Sequence, residues 1–232
     1  MSRVSKTLLV CLALAAAVAI YLAGHARLVP LPRLPAYADR SSTAIYQSRL
    51  DYFRKSEHHA QLVFVGDSLT EFGEWSELFP GTTTANRGIG GDNTRALAER
   101  LDALGDISQS TVMLMIGIND FLALGATPDE VAVRYEAILR NLGARARHVV
   151  VQSTLPVAPP ASTAVNADIA ALNAAIRRLC IDKCSYLDLA TLRMPDGSLH
   201  PDTTIDGVHL NGTGYLAWAT ALRDHLAALA QR

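Results

Sequence analysis

At 232 residues the chain can form one domain with a full core and a short appendage. Half of its residues are hydrophobic and only 6% are aromatic, which excludes disorder and suits helices packed on a sheet. Its 21 basic and 22 acidic residues nearly cancel and no basic patch stands out, so nucleic acid is excluded as a partner on electrostatic grounds.

The appendage comes first. Arg3 and Lys6 precede an uncharged apolar run from Leu8 to Ala23, and His25 and Arg27 follow it. Such a run is near the minimum of the ~17–25 residues that span a hydrocarbon core. It slightly exceeds the ~7–15-residue apolar stretch of a cleaved signal peptide, and Gly24 and Ala26 would suit cleavage after Ala26. Basic residues ahead of the run favour a cytoplasmic N-terminus and an exported domain. Residues 1–26 are therefore expected to be a hydrophobic helix that tethers the protein to a membrane. A cleaved signal, which would leave the protein secreted, and a core helix are the alternatives. Pro30, Pro32 and Pro35 make residues 27–42 an extended linker, and the main domain is expected over 43–232.

Ser41 is placed to cap a helix from Thr43 to Lys55. His58 and His59 follow; side chains at adjacent positions diverge, so the pair reads as a solvated connector rather than a metal site. Continuous apolar runs at Gln61–Val65, Thr83–Asn86, Val112–Ile116, His148–Gln152 and Tyr186–Leu189 predict buried strands with helices on both faces. Helices are predicted between and after them at Asn93–Leu104, Asp129–Ala144, Val165–Leu179 and Gly212–Ala230. In the second of these, Val131, Tyr135, Ile138 and Leu142 recur at helical spacing. Thr127-Pro128-Asp129-Glu130 supplies its start: a capping hydroxyl, a first-position proline and a glutamate three residues on. Strands alternating with helices predict a doubly wound α/β domain.

Ligands bind such sheets at the carboxyl ends of the strands, and four motifs fall there or in the loop before the last helix. Ser68, in Gly66-Asp67-Ser68, follows the first strand and opens a helix, where its hydroxyl is either a nucleophile or simply a cap. Asp67 reads as a buried fastening for that turn. Gly91, in Gly88-Ile89-Gly90-Gly91-Asp92, can bring a backbone N–H close because it has no Cβ. Asn119, in Gly117-Ile118-Asn119-Asp120, can donate through its amide. With the N–H of Ser68, these make donors for an oxyanion. Asp92 and Asn93 are expected to cap the next helix, and Asp120 is left without a role. Asp206 and His209, in Asp206-Gly207-Val208-His209, can deliver a carboxylate and a base from one loop. His200 is the competing base, but it lacks a following helix to lock it. Together these residues predict acyl transfer with Ser68, Asp206 and His209 catalytic and with Ser68, Gly91 and Asn119 as the oxyanion hole.

Cys11 lies in the apolar run and reads as a small hydrophobe. Cys180 and Cys184 either pair in an oxidising compartment or remain as buried thiols. No further ligand has the spacing for a metal beside them.

On these motifs the chain resembles the SGNH (GDSL-type) hydrolases, and most nearly the platelet-activating-factor acetylhydrolase-like esterases. Val65-Gly66-Asp67-Ser68, Asn86-Arg87-Gly88-Ile89-Gly90-Gly91-Asp92 and Asp206-Gly207-Val208-His209-Leu210 with Gly214-Tyr215 carry the resemblance, which spans Gln61 to Leu226. It implies a flavodoxin-like three-layer sandwich with a five-stranded parallel sheet, no metal and no organic cofactor. It also implies a small-molecule, glycan or lipid ester as substrate, with short acyl esters expected ahead of a lysophospholipid or thioester. The loops at Asp120–Ala126 and Pro156–Thr163 are expected to line the pocket. A tethered envelope-binding protein on the same scaffold is the non-enzymatic alternative.

Overall fold

A computed structural model describes residues 40–160, 163–180 and 184–231. The described residues belong to one compact unit, Tyr37–Arg232. The apolar run at Leu8–Ala23, with the helix and membrane tether expected of it, lies outside the described residues. Among the described residues no helix is long and apolar enough to cross a membrane.

The domain opens with α1 (Ala44–Lys55), followed by β1 (Leu62–Gly66), α2 (Ser68–Glu71), α3 (Trp75–Leu78) and β2 (Thr84–Gly88). Next come α4 (Thr94–Glu99), β3 (Thr111–Met115), α5 (Ile118–Leu122), α6 (Pro128–Arg145) and β4 (His148–Gln152). α7 (Thr163–Leu179), β5 (Cys184–Leu187) and α8 (Gly212–Ala230) complete it. The strands form one five-stranded sheet in the order β2-β1-β3-β4-β5, and every pairing is parallel. The order reverses between β1 and β3, which is where such sheets open a crevice for ligands. In register, Gly66 of β1 faces Gly88 of β2 and Met115 of β3, so the three strands finish level.

The pleat sends alternate side chains to opposite faces. Val63, Val65, Val112, Leu114, Val149 and Val151 share one core with Leu97 of α4, with Val131, Tyr135, Ile138 and Leu142 of α6, and with α7. Leu62, Phe64, Met113, Met115 and Val150 share the other with Trp75 of α3 and Trp218 and Leu222 of α8. There the Phe64 and Trp75 rings stack at 3.9 Å between centroids. A third, smaller cluster seats Tyr46, Leu50 and Phe53 of α1 on Ile89, Ala96 and Ala103.

Several local expectations change. The cap of α1 is Thr43, whose hydroxyl accepts the Tyr46 N–H, and not Ser41. The helix predicted over Asn93–Leu104 divides into α4 and a 3₁₀ turn at Leu101–Leu104, because Arg100 leaves helical geometry (φ −118°, ψ 15°). Its guanidinium turns inward instead. The last strand starts at Cys184, ahead of the predicted Tyr186. His58 is not a solvated connector: it is half-buried, its Nε2 is 2.7 Å from the Leu104 carbonyl oxygen, and burial lowers its pKa. Of the two readings of Cys180 and Cys184, the disulfide is the one formed.

Candidate active site

β1 runs directly into α2, so Ser68 occupies the first position of a helix at the end of a buried strand. Asp67 caps that helix: its carboxylate accepts the Leu69 N–H at 3.0 Å. The group is almost wholly buried, and burial pushes its carboxyl up to about 7. Further ties secure the turn. The Trp75 indole donates to the Thr70 carbonyl at 2.8 Å, and the Tyr215 hydroxyl of α8 donates to the Leu69 carbonyl at 2.8 Å.

Facing the serine is the loop before α8. Ser68 Oγ lies 2.9 Å from His209 Nε2, and His209 Nδ1 lies 2.7 Å from Asp206 Oδ2. With Nδ1–H donating to the carboxylate, the Nε2 lone pair is left for the serine proton. The loop is built to hold this. Asp206 Oδ1 also accepts the N–H groups of Val208 and His209, at 3.0 and 2.7 Å. Thr204 Oγ1 accepts from the Gly207 N–H and donates to the His209 carbonyl, and the Ala158 N–H donates to the Gly207 carbonyl. Burial works to raise the Asp206 pKa, but the hydrogen bonds from His209 and Val208 outweigh it and hold the carboxyl below its usual range. The exposed ring of Phe72 flanks His209 at 5.6 Å between centroids.

The donors come from the neighbouring strand ends. Gly91, after β2, has φ +82°, a region where only glycine is unstrained, and its N–H has no partner among the described residues. Asn119, in the first turn of α5, is buried and donates one amide hydrogen to the Asp92 carbonyl at 2.8 Å, leaving the other. The Ser68 N–H is likewise unpaired among the described residues, at the start of α2.

Asn93 caps α4 as expected, accepting the Ala96 N–H at 3.0 Å, but Asp92 does not. Asp92 is fully buried, accepts from the Tyr46 hydroxyl at 3.0 Å, and pairs with Arg100 at 2.5 Å. Asp120 accepts both the N–H and the hydroxyl of Thr94 and pairs with Arg134 at 3.2 Å. It fastens α5 to α4 and α6. His200 caps a short 3₁₀ helix, Pro201–Thr203, accepting the Asp202 N–H, so it does have a following turn and is occupied there. In the loop after β4, Val157 and Ala158 are buried, and the Ala158 N–H braces the His209 loop at the Gly207 carbonyl. The residues at 161–162 lie outside the described residues. Among the described residues, no group of three or more His, Cys, Asp or Glu is placed to hold a metal.

Residues 64–217 match the model of the GDSL-like Lipase/Acylhydrolase family. The chain belongs to that family. This GDSL hydrolase is 29% identical over 185 residues to Platelet-activating factor acetylhydrolase IB subunit alpha2 of Homo sapiens, covering 72% of this chain and 76% of the human one. A solved structure from Streptococcus pneumonia, described as a platelet activating factor, shares 27% identity at a TM-score of 0.68 and covers 90% and 99% of the two chains. The acetyl-xylooligosaccharide esterase Axe2 from Geobacillus Stearmophilus shares the fold alone, at 16% identity and a TM-score of 0.57 over 70% and 92%. The protein is thus a serine ester hydrolase of the GDSL type, on an α/β fold with a five-stranded parallel sheet.

Proposed function

We propose that Ser68 is the nucleophile of this hydrolase, His209 its base and Asp206 the carboxylate that orients the base. Ser68 Oγ attacks the ester carbonyl while His209 Nε2 takes its proton. The N–H groups of Ser68 and Gly91 and the amide of Asn119 hold the oxyanion. His209 then protonates the leaving alcohol, and water, activated by the same imidazole, releases the acid from the acyl-enzyme. What supports the reading is the continuous contact of Ser68 Oγ, the two nitrogens of His209 and Asp206, at 2.9 and 2.7 Å.

The substrate in this reading is a short acyl ester, an acetyl ester first. The human relative is an acetylhydrolase by name. A lysophospholipid or thioester is the second reading, and the observation in its favour is Phe72, an exposed apolar ring beside His209. The protein works outside the cytoplasmic membrane in this proposal, held there by residues 1–26 or secreted after their removal.

The deciding experiment follows hydrolysis of nitrophenyl esters of increasing acyl length by the full chain and by Ser68→Ala. The expected result is loss of at least ~10³-fold in kcat for the variant, with the wild type fastest on the shortest esters. Equal turnover by the two proteins would remove Ser68 from the mechanism. An optimum on long chains would turn the substrate reading to lipids.

A further inference from the structure

Residues 40–55 precede the stretch that matches the family model, yet their side chains reach the loop that carries Gly91. A Cβ placed on Gly91 would stand 2.9 Å from Arg40 Cβ. Tyr46 holds the Asp92 carboxylate. Arg49 goes furthest: its Nε is 2.5 Å from the Gly88 carbonyl oxygen and 3.0 Å from Glu71 Oε1. Glu71 closes α2, the helix that Ser68 opens, and its second oxygen accepts the Gly90 N–H at 2.6 Å. A Cβ on Gly90 would lie 2.9 Å from Glu71 Oε2 and 3.7 Å from Ser68 Cβ. A side chain there would press on that carboxylate, which glycine leaves in place.

A carboxylate in this place has an electrostatic cost. Acyl transfer at Ser68 builds negative charge beside the Gly90-Gly91 peptide, and a bare anion a few ångströms away opposes it. We infer that Glu71 and Arg49 act as a positioning pair for the oxyanion hole. Glu71 fixes the Ile89-Gly90 peptide, the unit that leads into the one carrying the N–H of Gly91. Arg49 cancels the charge that Glu71 brings and ties the same loop through Gly88. The inference rests on the Ser68 reading above. Its consequence is specific: the value of Arg49 depends on the charge of Glu71.

The test measures kcat and KM for nitrophenyl acetate in full-chain variants, with thermal melts to establish folding. Arg49→Met is expected to lower kcat about 10–100-fold with KM changed less than about threefold. Glu71→Gln keeps an acceptor for the Gly90 N–H without the charge and sets the reference for the pairing. The double variant R49M/E71Q is expected to recover to the level of E71Q. A merely structural Arg49 would give the same loss in both backgrounds, and that result overturns the pairing, as does R49M at wild-type kcat. Should R49M not fold, Arg49→Lys and Glu71→Ala decide. The lysine is expected to keep most of kcat and the alanine to lose about 10–100-fold at unchanged KM; E71A at full kcat overturns the proposal. Failure here is distinct from failure of the serine mechanism, which S68A reports independently.

Discussion

Ser68 and His209 stand 141 positions apart, and a hydrogen bond between them is possible only because a strand end and a separate loop meet at one level. Each side of that bond is set by its own short-range contacts. Asp206 receives three hydrogen bonds from the Val208–His209 segment, so its carboxyl stays ionised well into acid. Replacing that charged partner, Asp206→Asn, should therefore lower kcat on nitrophenyl acetate by ~10⁴-fold. Full kcat in that variant would argue against Asp206 as the group that orients His209. Asp67 gives a pH dependence, on stability. In the folded protein it keeps its proton to about pH 7, whereas an unperturbed aspartate loses it near 3.8. Between those values the folded state holds more protons, so this residue's contribution falls as pH rises and is fully lost above about 7. Relative to wild type, Asp67→Asn should gain stability from pH 4 to 7 and then level off, by at most about 4 kcal/mol. Chemical denaturation across that range measures it, and a gap that does not change with pH would contradict the assignment.

At the scale of elements, the short helices matter more than the long ones for the site. α2 and α5 are four and five residues long, yet they present Ser68 and Asn119. Neither has the length to be stable alone, and both are held by contacts from other elements. α4 stops early because Arg100 is committed to Asp92 and to the carbonyls of Gly66 and Arg87, a junction under the ends of β1 and β2. The pair is fully buried, so removing one member leaves an uncompensated charge. Arg100→Met should cost about 3–5 kcal/mol, whereas an Asp92→Asn/Arg100→Met double variant should cost clearly less. Urea melts of the two variants compare them directly, and equal losses would mean that the charge is not what Arg100 serves.

For the whole molecule, the sheet order and level strand ends set where reacting groups can gather. The proposed donors after β2 and β3 and the proposed nucleophile after β1 arrive at one switch point, and α8 carries the His209 loop across to it. The domain is thus self-sufficient in candidate catalytic groups, and the proposed role of residues 1–26 is placement. Fractionation of cells producing the full chain should find it in the membrane fraction after a high-salt wash, with the domain open to protease from outside. Recovery of a mature chain beginning at Arg27 would instead favour secretion, and an uncleaved cytoplasmic protein would sink the export reading.

The alternation of strands and helices, the apolar stripe of α6 and the motif positions could all be read from the chain, because each is a local or periodic pattern of residue types. The Asp206–His209 pairing could be read for the same reason, since both partners sit in one loop. Other features have no such trace. The burial of Asp92 with Arg100 and Tyr46, the seat of His58 on Leu104 and the link from Arg49 through Glu71 to Gly90 join different elements. Only packing brings those groups within hydrogen-bond distance, and spacing along the chain says nothing about it. Which residue types are candidates for the chemistry was thus a property of the sequence; how they are fastened, and with what charge beside them, was decided by the tertiary structure.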